Sequence, residues 1–204
     1  MSTTASLSSE TESVGNLYRF TVEGIQTALK ADVFDHPERI ELVQGIVMEK
    51  SKPTEGHDYL VNHLSRRLRK DLKKSFLVYG RRPLAIDIHN QPTADLLIVM
   101  GAKDSYWQRY PLPVETALVI EIADLPAVYD LGGKANLYAN AGITDYWVVL
   151  VSENAVVVHR DPTPNGYSMV TRLAGEDTLS PLAAPEAVWT INTLLGRVEA
   201  PEEN

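Results

Sequence analysis

From Ala117 to Trp147 the chain reads ALVIEIADLPAVYDLGGKANLYANAGITDYW, a succession of an apolar strand, a short irregular connection, a helix and a second strand. The first strand opens one residue earlier, and its core TALVIEI is apolar or β-favouring except for Glu121. A strand of that composition is normally buried on both faces. A carboxylate inside it loses hydration and needs a partner or a metal to compensate. The helix that follows repeats the anomaly with the opposite sign. Leu131, Lys134, Ala135 and Tyr138 share the i, i+3, i+4, i+7 spacing of one helix face, which sets a lysine in the apolar stripe. Two readings stand at this point. Glu121 and Lys134 form a structural ion pair, or the lysine snorkels to solvent; alternatively both charges belong to a functional site.

Working outward, the same pattern recurs. Thr93 to Met100, TADLLIVM, is a second strongly apolar strand with a carboxylate at its start, Asp95, which could equally terminate a turn. Arg39 to Lys50, RIELVQGIVMEK, reads as a hairpin hinged at Gln44 and Gly45, with Glu41 in its first strand. His57 to Lys74 carries Leu60, Leu64, Leu68 and Leu72 in a helical stripe backed by Val61. His57 lies on that inward face at the helix start, as either an ordinary hydrogen-bonding residue or a phosphate or water contact in a cleft. Arg66, Lys70 and Lys73 occupy the opposite face, which is either a solvated surface or a nucleic-acid contact. Elsewhere the spacing predicts a helix over Tyr18 to Lys30 capped by Thr21 and strands over Phe76 to Tyr79 and Pro83 to Ile88. A loop follows, Gly101 to Pro113, with Tyr106, Trp107 and Tyr110 packing over an edge. The chain closes with a strand Asp145 to Val151, a hairpin of Ala155 to Arg160 and Tyr167 to Arg172, and a short helix Thr190 to Leu195.

The 204 residues suit one domain over 17–197, between a disordered tail at 1–16 and an acidic tail at 198–204. With 44% hydrophobic and 23% charged residues, the composition is that of a soluble globular protein, and a cytoplasmic location is expected. No apolar run approaches the ~20 residues needed to cross a bilayer, so no membrane partner is expected. The absence of cysteine excludes disulfides, thiolate metal sites and cysteine nucleophiles. His36, His63, His89 and His159 show no metal-ligand spacing, and no P-loop, GxGxxG or GxSxG is present. The net charge of −8 argues against indiscriminate binding to DNA. Locally the balance reverses: Arg66, Arg67, Arg69, Lys70, Lys73, Lys74, Arg81 and Arg82 face a single acid, Asp71.

Taken in order, ELVQG, a proline-containing loop with His57, ADLLIV, VIEIAD and DLGGKANLYANAGITDYWVV resemble the Uma-two family of restriction-endonuclease-like proteins, within the PD-(D/E)xK nuclease superfamily. The resemblance runs from about Phe20 to about Arg197. Its most specific part is the series Asp130, Lys134, Tyr138, Gly142, Tyr146, Trp147, which follows the family's D-x3-K-x3-Y and GxxxYW pattern. It implies an α/β (α+β) fold, a restriction-endonuclease-like central mixed β-sheet flanked by helices, with catalytic positions on Glu41, Asp95, Glu121 and Lys134. It also implies a Mg²⁺ or Mn²⁺ cofactor held by Asp95, Glu121 and the backbone carbonyl of Ile122, and DNA as partner. His57, Lys70, Lys73, Arg81 and Arg82 are the expected nucleic-acid contacts, and a homodimer is the expected assembly. The sequence departs from the superfamily pattern at Ala94, where a proline is usual, and at Ala123, where the lysine more often stands; Lys134 resembles a lysine relocated to the next helix. A further departure is Ala-Asp-Leu-Pro after the glutamate strand, beside the site.

Phosphodiester hydrolysis explains why these residue types would gather. It needs a water nucleophile, neutralisation of charge on the phosphate and help for the departing oxygen, most of which a hard divalent cation supplies. Mg²⁺ is content with one or two carboxylates plus substrate phosphate. In this reading Glu41 binds a second ion or orients water, and Lys134 holds the attacking water and stabilises the phosphate. The rivals are a non-catalytic nucleic-acid-binding or protein-interaction module on the same fold, and a structural dimer.

Overall fold

The computed structural model describes residues 17–102, 104–123 and 127–196. Both tails and most of the Ala-Asp-Leu-Pro loop lie outside them. A mixed sheet of six strands forms the centre, in the order β3 (Phe76–Pro83), β4 (Thr93–Met100), β5 (Thr116–Ala123), β6 (Asp145–Leu150), β7 (Ala155–Thr163) and β8 (Gly166–Ala174). Only β5 and β6 run parallel; the other neighbours are antiparallel. The parallel step is made by a crossover containing a π-helical turn, Asp130–Lys134, and α3 (Ala135–Asn140). Gly142, at φ +79°, turns the chain out of that helix into β6.

Strand β5 is buried along its whole length, as its composition requires, and its alternation sorts the two cores. Leu118, Ile120 and Ile122 face a cluster filled by Leu60, Leu64 and Leu68 of α2 (Glu55–Asp71) and by α4 (Ile191–Leu195). Val119 and Ala123 face the other cluster, with Ala135 and Tyr138 of α3. Glu121 shares their parity, so its side chain is directed to the α3 side. Helices thus cover both faces of the sheet, as the composition of β5 predicts.

The hairpin β1 (Ile40–Val43) and β2 (Ile46–Glu49) is a separate small sheet with Glu41 opposite Met48. Gln44 and Gly45, at φ +52° and +73°, make the left-handed two-residue turn that suits a hairpin. Its position is fixed by main-chain bonds: Gln91 N–H to Leu42 O at 2.8 Å, Gly45 N–H to His89 O at 2.8 Å and Phe20 N–H to Gly45 O at 2.9 Å.

Four details differ from the sequence expectation. Helix α1 (Val22–Lys30) is capped by Thr21, whose hydroxyl accepts from Gly24 N–H, but it begins four residues later than Tyr18, because Phe20 is engaged with the hairpin. Helix α2 ends at Asp71 rather than Lys74. Pro83–Ile88 is not a strand: β3 runs on to Pro83, and beyond its partner Thr93 stands Pro92, which has no N–H to extend the ladder. Leu131 is exposed rather than in the buried stripe, since the π turn bonds i to i+5 and shifts the helix phase. The small pair β9 (Thr178–Leu179) and β10 (Trp189–Thr190) leads into α4, capped by Thr190. Of the loop aromatics, Tyr106 is buried and its hydroxyl donates to Met100 O, while Trp107 is exposed.

A Cβ added at Gly45 would stand 2.6 Å from Arg19 Cβ, on a backbone at φ +73°. Gly45→Ala is therefore expected to lower unfolding free energy by at least about 1 kcal/mol, measured by urea denaturation.

Candidate active site

At one end of the sheet the β4–β5 ladder stops at Leu96 opposite Ile120, and the next inward N–H of β5, that of Ile122, is met by a side chain. Asp95 Oδ2 accepts it at 2.9 Å. Continuing the register one step places Asp95 opposite Glu121, so two carboxylates stand side by side where the strands part. Both are almost fully buried, Glu121 to 1% exposure.

Their compensation comes from three other segments. Lys134, also 1% exposed, donates to Glu121 Oε1 at 2.9 Å and lies 3.4 Å from Glu41 Oε2 and 3.9 Å from Asp130 Oδ1. Tyr138 donates its hydroxyl to the same Glu121 oxygen at 2.9 Å. From the opposite face, His57 at the first turn of α2 brings Nε2 to 3.1 Å from Asp95 Oδ2. From the hairpin, Glu41 Oε2 accepts Thr93 N–H at 3.1 Å. Lys50 Nζ, just past β2, reaches Asp95 Oδ1 at 3.0 Å, Thr93 O at 3.2 Å and Glu121 Oε2 at 3.5 Å.

The expected quartet of Glu41, Asp95, Glu121 and Lys134 is thus brought together, and the contact recorded for Ile122 is through its N–H. The D-x3-K-x3-Y series acquires a structural meaning: Asp130, Lys134 and Tyr138 all reach the cluster, and Tyr146 donates its hydroxyl to Asp130 O at 2.9 Å. Trp147 belongs to the core beneath, its indole N–H donating to buried Asp145 at 2.8 Å.

Lys50 was not indicated by apolar patterning, because it interrupts no apolar stripe. The signal available was the hairpin register. Met48 is the cross-strand partner of Glu41, and a residue two further along the strand points to the same face.

The expected nucleic-acid contacts do not converge. Lys70 lies on the exposed face of α2, 13 residues from His57 and hence about 20 Å along the helix. Lys73 pairs with Glu186 at 2.7 Å and Arg81 pairs with Asp58. Arg82 donates to Tyr106 O at 2.7 Å and stacks over the Tyr79 ring at 4.9 Å, which makes it part of the scaffold.

Electrostatics follow the geometry. Burial pushes the Glu121 carboxyl up to about 7 against the pull of Lys134 and Lys50. Burial alone would raise Asp95 too, but the His57 hydrogen bond and the Lys50 charge outweigh it and hold Asp95 well below the usual carboxylate range. For Lys134 the loss of hydration is exceeded by the attraction of Glu121, Glu41 and Asp130, which keeps the ammonium charged. For Lys50 burial is likewise exceeded, chiefly by Glu121. His57 is raised above its ordinary value, since the Asp95 bond and charge overcome desolvation.

Among the described residues no group of three or more His, Cys, Asp or Glu side chains is arranged to hold a metal ion. A smaller all-oxygen set does exist. Asp95 Oδ1, Glu121 Oε2 and Thr93 O converge within 3.5 Å of one point, where the Lys50 ammonium sits. Two carboxylates and a carbonyl fit a hard cation that retains water ligands.

The mixed sheet with helices on both faces is a nuclease-like fold. The fold is similar to the crystal structure, at 1.96 Å resolution, of a "putative nuclease belonging to DUF820" from Anabaena variabilis, with a TM-score of 0.64 and 14% identity, covering 77% of this chain and 89% of that one. The model of the Uma2 family, described as "Putative restriction endonuclease", matches residues 26–193, and the chain belongs to that family. No curated protein matches it.

Two outcomes are expected. Lys134→Met leaves Glu121 and Glu41 buried without their shared ammonium, and should cost roughly 3–5 kcal/mol in chemical denaturation. The His57 contribution has a defined pH sign. Its folded value is raised, so the stabilisation is complete below the unfolded value and is lost as pH rises through the folded one. Asp95 and Asp58 favour the charged ring and Lys50 and Arg81 oppose it. Metal-free melting temperature should therefore fall as pH rises above the ordinary imidazole value of about 6.5, and fall less steeply in His57→Asn.

Proposed function

We propose that this protein is a metal-dependent endonuclease that hydrolyses DNA phosphodiester bonds. The observation that carries the reading is the meeting of Glu41, Asp95, Glu121 and Lys134, from four separate segments, in one buried cluster. Scaffold needs alone do not account for it, since well-packed apolar residues would stabilise the same positions at least as well. The family description and the nuclease-like fold supply the reaction class.

In this reading Asp95 and Glu121 hold Mg²⁺ or Mn²⁺ through the oxygens that face Lys50, with a backbone carbonyl, that of Ile122 or Thr93, as a third ligand. The bound cation would lower the pKa of a water and offset phosphate charge. The chain's own groups do the rest. His57 and the Ile122 N–H fix Asp95 Oδ2, leaving Oδ1 to the Lys50 ammonium. Tyr138 and Lys134 fix Glu121 Oε1 in the same way, leaving Oε2. Lys134 stays charged in its buried setting and offsets negative charge building on the phosphate. Glu41 orients water. Of the expected contacts, Lys70, further along α2, is exposed, and Arg81, beside His57, would reach the DNA backbone by leaving its surface pair with Asp58.

The alternative is a non-catalytic nucleic-acid-binding or protein-interaction module. It draws on one specific observation: the site oxygens are already satisfied by internal donors, and Arg82 and Lys73 are internally engaged. A supercoiled-plasmid assay in Mg²⁺ or Mn²⁺ decides between the two, with duplex binding in Ca²⁺ followed by fluorescence anisotropy. Asp95→Asn should reduce cleavage by about a hundredfold or more and leave Ca²⁺-supported binding intact. Binding without cleavage by the parent protein would favour the alternative; absence of both would remove DNA as the substrate.

A further inference from the structure

We propose that Lys50 is a built-in stand-in for the catalytic cation, occupying the cation position with its own ammonium and leaving it when a divalent metal is taken up. The inference rests on the metal-dependent reading above and concerns a residue that reading did not require. Lys50 Nζ contacts Asp95 Oδ1, Glu121 Oε2 and Thr93 O, the carboxylate oxygens being those left once His57, Ile122 N–H, Lys134 and Tyr138 have engaged the others. An ammonium and a hard dication both seek such oxygens, and they cannot share them. Metal uptake is therefore a competition with a tethered internal cation.

The two lysines of the cluster are not equivalent. Lys134 is sealed at 1% side-chain exposure, whereas Lys50 is 28% exposed, so Lys50 has a route to solvent. Its backbone is pinned, with Lys50 N–H donating to Arg39 O at 2.9 Å. Displacement is then a change of side-chain rotamer on a flexible four-carbon stem, with no movement of the hairpin that also carries Glu41. Without metal, the ammonium keeps two neighbouring buried carboxylates from repelling each other. With metal, it becomes a free cation on the solvent side of the cluster.

Two measurements on the full chain test this. In the first, lysine acylation by an N-hydroxysuccinimide acetate reagent is followed by peptide mass spectrometry with and without Mg²⁺, with exposed Lys70 as internal reference. Lys50 should acylate several times faster with Mg²⁺ while Lys70 is unchanged. In the second, Mn²⁺ binding is measured calorimetrically for the parent and Lys50→Met. The variant should bind about tenfold more tightly, the scale of removing one competing ion pair. Unchanged Lys50 acylation in a protein that demonstrably binds Mg²⁺ would overturn the proposal, as would equal or weaker Mn²⁺ affinity in a folded Lys50→Met, and either result would leave the metal site itself standing. If neither protein takes up Mn²⁺, the metal-dependent reading falls and the Lys50 proposal falls with it. Should Lys50→Met fail to fold, the acylation result on the parent protein decides alone.

Discussion

Buried negative charge at the point where β4 and β5 part is the constraint that everything near it serves. Asp95 and Glu121 stand on adjacent strands, both withdrawn from water, and such a pair is stable only if ammonium groups and hydrogen-bond donors surround it. No single element of this fold could supply them all. The compensation arrives from both faces of the sheet and from outside it: α2 contributes His57, the crossover to β6 contributes Lys134 and Tyr138, and the hairpin contributes Lys50. Helix packing, the parallel step and the docking of the hairpin are all tied to one small volume.

That convergence also explains a division of labour within single side chains. One oxygen of Asp95 and one of Glu121 are committed to His57, Ile122 N–H, Lys134 and Tyr138, while the other oxygen of each is held by Lys50 alone among the described side chains. The committed oxygens anchor the carboxylates; the others are those at which the proposed exchange would take place. Under the proposed function, structural ion pair and reactive site, which the sequence leaves as rival readings, are two halves of the same carboxyl groups.

Much of this was legible in the sequence, and for a physical reason. A carboxylate inside an apolar strand and a lysine in an apolar helical stripe violate patterning, and the violations at Glu121, Asp95 and Lys134 mark real members of the cluster. The hairpin turn at Gln44 and Gly45 and the caps at Thr21 and Thr190 are visible because turn and cap chemistry is local. What escaped was not local. Lys50 sits at a strand end, where a lysine is ordinary, and only the register of the hairpin brings it inward. The basic run after Arg66 reads as one patch, yet α2 and β3 carry its members apart, and Arg82 turns to tyrosines and carbonyls. The Pro83–Ile88 alternation reads as a strand, but its partner strand begins only after Pro92.

The π turn at Asp130–Lys134 has a further consequence for how this segment can vary. One more residue is looped into that turn than an α-helix would hold, and the phase of Lys134 relative to Glu121 depends on it. Removing a residue there, restoring ordinary helical spacing, would swing Lys134 by about 100° around the axis and carry its ammonium away from both glutamates. A side chain at Gly132, by contrast, would meet nothing within 4 Å. Gly133 in the same turn has no such room, since an added Cβ would stand 2.8 Å from Tyr129 Cε2, so the turn accepts a side chain at one glycine, crowds it at the next, and would lose the Lys134 contacts on deletion of a single residue.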